Sequence, residues 1–265
     1  MCKIHPDIPE MFLYTKPKLP DDCIFAISPS SISKFFDYPK VWYNECYLGK
    51  GGFAGNTATY TGTICHWIYE QLTKKNTDIV NREYINAQLD KYLEVVPNAD
   101  VDANQVKTDY PLVSSAVVNN YLMESNSKVK LIKSEEQVVG KVMKGIYVAG
   151  TCDRLEGDCI VDFKTVATKP NESVIPFGYK IQLLSYAMAF RQKGYEVNRI
   201  RIVYGVKPTQ KLGARCIVVT ENIDFMAEKL VNDTLKLIGE SVLAVIDNPN
   251  LAYLIFKSMD LKENP

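Results

Sequence analysis

The sequence predicts a mixed α/β fold: a central sheet of about five strands flanked by helices, with a helical N-terminal elaboration. Two observations carry this prediction. Apolar residues recur at helical spacing up to about residue 125, and from Lys128 onward they change to alternating, β-branched runs punctuated by Gly140 and Gly145. The elements then read as three strands, a helix, two strands and a closing helix, an order that fits neither a helical bundle nor a β-sandwich. With 265 residues, 46% of them hydrophobic, the chain can bury a core of that kind.

Residues 1–27 are proline-rich and aperiodic and read as an irregular arm; 28–265 read as one domain, with a helical elaboration over 28–127, a core over 128–220 and a closing helix and tail over 221–265. The first helix begins at Ser28-Pro29-Ser30-Ser31, a capping serine followed by a first-turn proline, and stops near Tyr38-Pro39. Gly49–Gly55 (GKGGFAG) lacks the G-K-[ST] ending and the leading strand of a phosphate loop and reads as a connection. Over Tyr60–Lys74 an apolar stripe of Ile64, Trp67, Ile68 and Leu72 predicts a helix, on which His66 and Glu70 share a face. Residues 79–125 predict two helices broken around Pro97 and Pro111. Strands follow in KVKLIKSEEQVVG, in MKGIYVAGTCDRL and, after a hairpin turn at Gly157-Asp158, over Asp158–Thr165. Gly178–Lys193 returns to a helical period, Asn198–Val206 and Ala214–Thr220 are strands, and Asp224 to Ile246 is a long helix ending before Pro249.

Thirty-one basic residues balance thirty-one acidic ones, so no overall field attracts a polyanion and nucleic-acid binding has to be local. The seven cysteines contain no C-x-x-C pair and the only histidines are His5 and His66, which disfavours a disulfide framework, a structural zinc site and an iron–sulfur cluster. No apolar run approaches the roughly 18–20 residues of a membrane span, and the N-terminus lacks a secretory signal, so the expected location is cytoplasmic.

A two-residue turn at Gly157-Asp158 sets Asp153 opposite Asp162 on one face of the hairpin, with Lys164 two residues on and Val161 and Phe163 turned to the other face. Paired carboxylates repel unless a cation lies between them. Oxygen ligands with few nitrogens suit Mg²⁺ or Mn²⁺, which polarises a phosphoryl oxygen and activates water; Lys164 would stabilise charge developing on the phosphate.

Around this cluster the chain reads Ser28-Pro29-Ser30-Ser31-Ile32-Ser33-Lys34-Phe35-Phe36, then Gly62-Thr63-Ile64-Cys65-His66-Trp67-Ile68-Tyr69-Glu70, Gly150-Thr151-Cys152-Asp153, Asp162-Phe163-Lys164 and Gln182-Leu183-Leu184-Ser185-Tyr186. In this order, over roughly residues 28–206, it resembles the PD-(D/E)xK nuclease superfamily, in particular the RecB-like branch that includes phage exonucleases and CRISPR adaptation nucleases. The resemblance implies a restriction-endonuclease-like core and metal-dependent hydrolysis of DNA, by an exonuclease of recombination, repair or phage DNA processing. It implies His66, Asp153, Asp162 and the backbone carbonyl of Phe163 as metal ligands, with Glu136 of the adjacent pair Glu135-Glu136 as a further one. Lys164 becomes the catalytic lysine, and Gln182 and Tyr186 contact the scissile strand or brace that lysine. Relatives with an iron–sulfur cluster have a cysteine where this chain has Tyr38 and a cysteine cluster where it has only Cys216, so a cluster-free protein is expected.

The expected partner is DNA with linear ends, single- or double-stranded; a homo-oligomer or a recombination partner protein is compatible with it. Ser30, Lys34, Arg199 and Arg201 are expected as contacts to it, with Trp42, Tyr43 and Phe53 available for base stacking. A structure-specific or restriction-type endonuclease would share every motif. A DNA-binding relative without activity would have lost Asp153, Asp162 or Lys164, and all three are present.

Overall fold

A computed structural model describes residues 8–13, 15–50 and 55–257. Phe53 and the centre of the Gly49–Gly55 segment lie outside these residues, as does His5.

The strands are β1 (Phe25–Ile27), β2 (Leu131–Met143), β3 (Ile146–Glu156), β4 (Cys159–Val166), β5 (Arg199–Val206) and β6 (Arg215–Asn222), in one mixed sheet. The sixth strand is β1, which the aperiodic reading of residues 1–27 misses because it is three residues long and is recruited by β3, with Phe25 beside Ile146 and Ile27 beside Val148. The helices are α1 (Ile32–Asp37), α2 (Pro39–Trp42), α3 (Thr57–Thr73), α4 (Arg82–Val95), α5 (Ala103–Val117), α6 (Met123–Lys128), α7 (Phe177–Gln192) and α8 (Phe225–Asp247). Asn56, Asn81, Asp102 and Asp224 cap α3, α4, α5 and α8, each accepting a backbone N–H from its helix's first turn.

Pro111 does not break α5. Its missing N–H deprives the Lys107 carbonyl of a helical donor, and the Arg82 guanidinium approaches that carbonyl at 3.4 Å instead. Helical turns continue to Lys128, keeping Val113, Val117, Tyr121 and Leu122 buried against the sheet.

The central strands β4 and β5 alternate between two apolar layers. Ile160, Ile200, Ile202 and Tyr204 face α7, α8 and the first helices. Cys159, Val161, Phe163 and Val203 face α3 and α5.

The edge of β3 positions the site. One edge pairs with β2 along its whole length, while the other is shared by β1 at Ile146–Val148 and β4 at Arg154–Glu156. The Gly157-Asp158 turn sets the predicted register, pairing Glu156 with Cys159 and Arg154 with Val161, with Gly157 at φ 57°. Beyond Arg154 and Val161 the two strands part, so the sheet forks just where Asp153 and Asp162 lie.

Beneath the fork a charged network is fully buried. Arg154 meets Glu156 at 2.7 Å, and Tyr121 and Ser125 donate to the same carboxylate at 2.6 and 2.7 Å. Arg154 also donates to Thr73 and Asn126, which ties the hairpin to α3 and α6.

Candidate active site

The fork opens the sheet so that groups from both layers meet. Asp162 and Lys164 point toward α7, as alternation along β4 requires. His66 comes from α3 on the other layer, packing edge-on against Phe163 at 6.1 Å, and its Nδ1 lies 3.4 Å from Asp153 Oδ2. Asp153 is therefore not paired directly across from Asp162 as a continuous hairpin would have it. Its Oδ2 accepts the Phe163 N–H at 2.8 Å, replacing the ladder carbonyl lost where the strands part.

His66, Glu135 and Asp153 can each offer a ligand atom within 4.8 Å of one another. Glu136, the expected carboxylate, instead lies 3.3 Å from Lys133, away from this group. The reason is a β-bulge. At the turn Met143 pairs with Ile146, but Lys141 pairs with Tyr147, so Val142 is an extra residue in β2. The slip of one residue exchanges the faces of the two glutamates. The pairs Ser134–Arg154 and Glu136–Cys152 then set Glu135 opposite Asp153. Glu135 also has φ 48°, a left-handed conformation that costs a non-glycine residue about 1–2 kcal/mol.

Asp162 is buried beside this group. Lys164 Nζ lies 3.1 Å from its Oδ1 and 2.8 Å from its Oδ2, and Gln182 donates to Oδ1 at 3.1 Å. Among the described residues, Oδ2 has no hydrogen bond of good geometry. Burial raises the Asp162 carboxyl to about 6, against the pull of Lys164. Burial also raises Glu135, to about 9, with Asp153 and Glu70 adding to the rise. For Lys164, burial works against the charge, but Asp162 and Asp153 outweigh it and hold the ammonium above its ordinary range. Its Nζ also sits 5.3 Å over the Tyr179 ring.

Tyr186 is buried, its phenol pushed well up by burial and then by Asp153. A Cβ on Gly150 would lie 3.2 Å from its Oη and 3.0 Å from Pro29, so the glycine lets both close on β3. Phe163, Lys164, His66, Glu135 and Ser30 line one open cleft of about 1050 Å³.

The other expected DNA contacts lie elsewhere. Trp42 is fully buried, and Tyr43 stacks on Phe256 at 4.9 Å, so both are core residues. Phe256, far along the chain, covers both rings. Lys34 is paired with Glu45 at 2.6 Å. Arg199 binds Asp158 beside the hairpin turn. Arg201 donates to Tyr121 and Thr220 and lies 3.6 Å from Glu156, joining the buried network. In the β4–β5 register both arginines stand three or more residues before the level of Lys164, toward the turn.

The donor set fits a divalent cation. Two carboxyls whose charges oppose each other, an imidazole beside them and a buried carboxylate oxygen lacking a proper donor are satisfied together by a hard to borderline metal ion. No helix among the described residues is long and apolar enough to cross a membrane.

No protein-family profile matches the chain, and no curated protein does. Among solved structures it is similar to a crystal structure of a candidate exonuclease from Eubacterium rectale, at 16% identity and a TM-score of 0.53, covering 84% of this chain and 81% of that one. An alkaline exonuclease from Laribacter hongkongensis matches at 12% identity and a TM-score of 0.40, over 89% of this chain and 94% of that one. The fold is restriction-endonuclease-like. Its mixed sheet is flanked by helices on both faces, and the fork lies at the pairing of β3 with β4.

Proposed function

We propose that the chain is a metal-dependent deoxyribonuclease that hydrolyses phosphodiester bonds from DNA ends, in recombination, repair or phage DNA processing. The observation that carries this reading is the convergence of His66, Glu135 and Asp153 beside the Asp162, Lys164 and Gln182 cluster. Bound Mg²⁺ or Mn²⁺ supplies Lewis acidity toward a phosphoryl oxygen and makes water a stronger nucleophile at neutral pH. His66, Glu135 and Asp153 would hold the ion, with Asp162 Oδ2 and the Phe163 carbonyl beside them.

Lys164 keeps its proton between Asp162 and Asp153, so it presents a fixed positive charge to the phosphate as negative charge builds on the leaving oxygen. Gln182 holds Asp162 in one orientation by donating to Oδ1. Tyr186, closed against Gly150, braces the strand that carries Asp153. The segment Glu10–Leu13 walls one side of the cleft, which favours a substrate that presents an end, and the designation of the Eubacterium rectale protein as a candidate exonuclease agrees with this.

A time course on 5′- and 3′-labelled linear DNA and on closed circular DNA, with Mg²⁺ or Mn²⁺, tests the reading. Loss of linear DNA from one end, with circles spared, is the expected result. Nicked circles would replace end-directed action with endonuclease action, and no cleavage with either metal would overturn the reading.

A further inference from the structure

The cleft extends past the carboxylates to a wall of aromatic rings: Phe12 from the N-terminal segment, Tyr60 and Trp67 from α3, and Tyr92 from α4. The Phe12 and Tyr92 rings lie 4.3 Å apart, and Tyr60 lies 5.9 and 5.6 Å from them. Phe12 and Tyr92 are only half-buried, so part of their surface is open to the cleft. Trp67 is 7% exposed and stacks on Tyr84.

This wall is unsuited to phosphate. Among the described residues lining the cleft, Lys164 is the one lysine or arginine, while Glu10, Glu70 and Glu135 are carboxyls. Phosphate therefore belongs beside Lys164 and the metal ligands, and what it carries extends toward the rings. Every nucleobase has a π-face for stacking and edge atoms that accept hydrogen bonds. A base inside a duplex has its faces covered by its neighbours and cannot offer one to a side chain without leaving the stack. The cleft, about 1050 Å³, slightly exceeds the roughly 300–1,000 Å³ that hold one small ligand, which suits a short stretch of single strand.

We propose that the wall is a nucleobase subsite: a base next to the scissile phosphate of a single strand stacks on Phe12 and Tyr92. This rests on the nuclease reading and deepens it by naming the substrate at the site as single-stranded, whether free or frayed from a duplex end.

The test measures binding without cleavage, using the full chain carrying Asp162→Asn with Mg²⁺ and single-stranded oligonucleotides that carry 2-aminopurine at successive positions. Quenching concentrated at one position is expected. Phe12→Leu and Tyr92→Leu, both at half-buried positions, should each weaken binding at least about fivefold. An oligonucleotide with an abasic site at that position should bind the variants and their parent equally. No single-strand binding, unchanged affinity in both variants, or equal losses on the abasic strand would overturn the subsite. Failure of the nuclease reading is seen separately: wild type that cleaves no DNA sinks that reading whatever the quenching shows, whereas wild type that degrades DNA while both variants bind normally sinks the subsite alone.

Discussion

Glu135 faces Asp153 across the β2–β3 ladder, and its carboxyl is raised to about 9 by burial and by the charges of Asp153 and Glu70. The adjacent Glu136 is held by Lys133 outside the site. Glu135→Gln should therefore weaken Mn²⁺ binding at least about tenfold, while Glu136→Gln leaves it unchanged. Calorimetric titration of both variants checks this, and equal losses would return the ligand role to neither residue in particular.

The same raised carboxyls set a pH dependence. Folded Glu135 holds its proton up to about 9 and Asp162 up to about 6, whereas their ordinary values are 4.5 and 3.8. Between those limits the folded chain binds more protons than the unfolded one, so stability without metal falls as pH rises, by up to about 1.4 kcal/mol per pH unit for each group while in its window. Urea unfolding from pH 5 to 8.5 should show this decline, and Glu135→Gln should flatten it. Mn²⁺ binding should release protons near pH 7, visible as a binding heat that depends on the buffer's ionisation enthalpy. A buffer-independent heat would contradict the protonated state of Glu135.

Lys164 is held by Asp162 at 2.8 Å and reaches no other carboxylate as closely. Its removal should slow cleavage by about 10²–10³-fold, as loss of a positioned electrostatic donor does elsewhere, while Mn²⁺ still binds. Lost metal binding in Lys164→Ala would assign the lysine a structural role instead.

Arg154 and Glu156 are both almost fully buried; their mutual contact, Arg201 at 3.6 Å and the hydroxyls of Tyr121 and Ser125 compensate the Glu156 charge. Glu156→Gln should cost about 3–5 kcal/mol of stability, and the double change Arg154→Met with Glu156→Leu should recover much of it. Denaturant titration distinguishes these outcomes; a neutral Glu156→Gln would show that the network contributes little.

The order of elements was legible because long periodic segments such as α3, α7 and α8 declare themselves, and Gly157-Asp158 fixed the β3–β4 register. Three features of the backbone were not legible, because pairing and packing with distant parts of the chain decide them. β1 is too short to show a period, Pro111 is tolerated because Arg82 reaches the carbonyl it strands, and the bulge at Val142 exchanges Glu135 for Glu136. His66, Asp153, Asp162, Lys164 and Gln182, each expected from a motif, lie together at the fork. Trp42 and Tyr43 were taken for exposed rings because burial by Phe256, two hundred residues later in the chain, leaves no trace in the local pattern.

The most direct test of the proposed chemistry is the initial rate of nucleotide release from linear DNA by wild type and by Asp153→Asn, each titrated with Mn²⁺. Wild type should turn over only with metal, and Asp153→Asn should lose activity by at least about 10²-fold at saturating Mn²⁺. Metal-independent release, or a variant as fast as wild type, would contradict a hydrolytic centre at the fork.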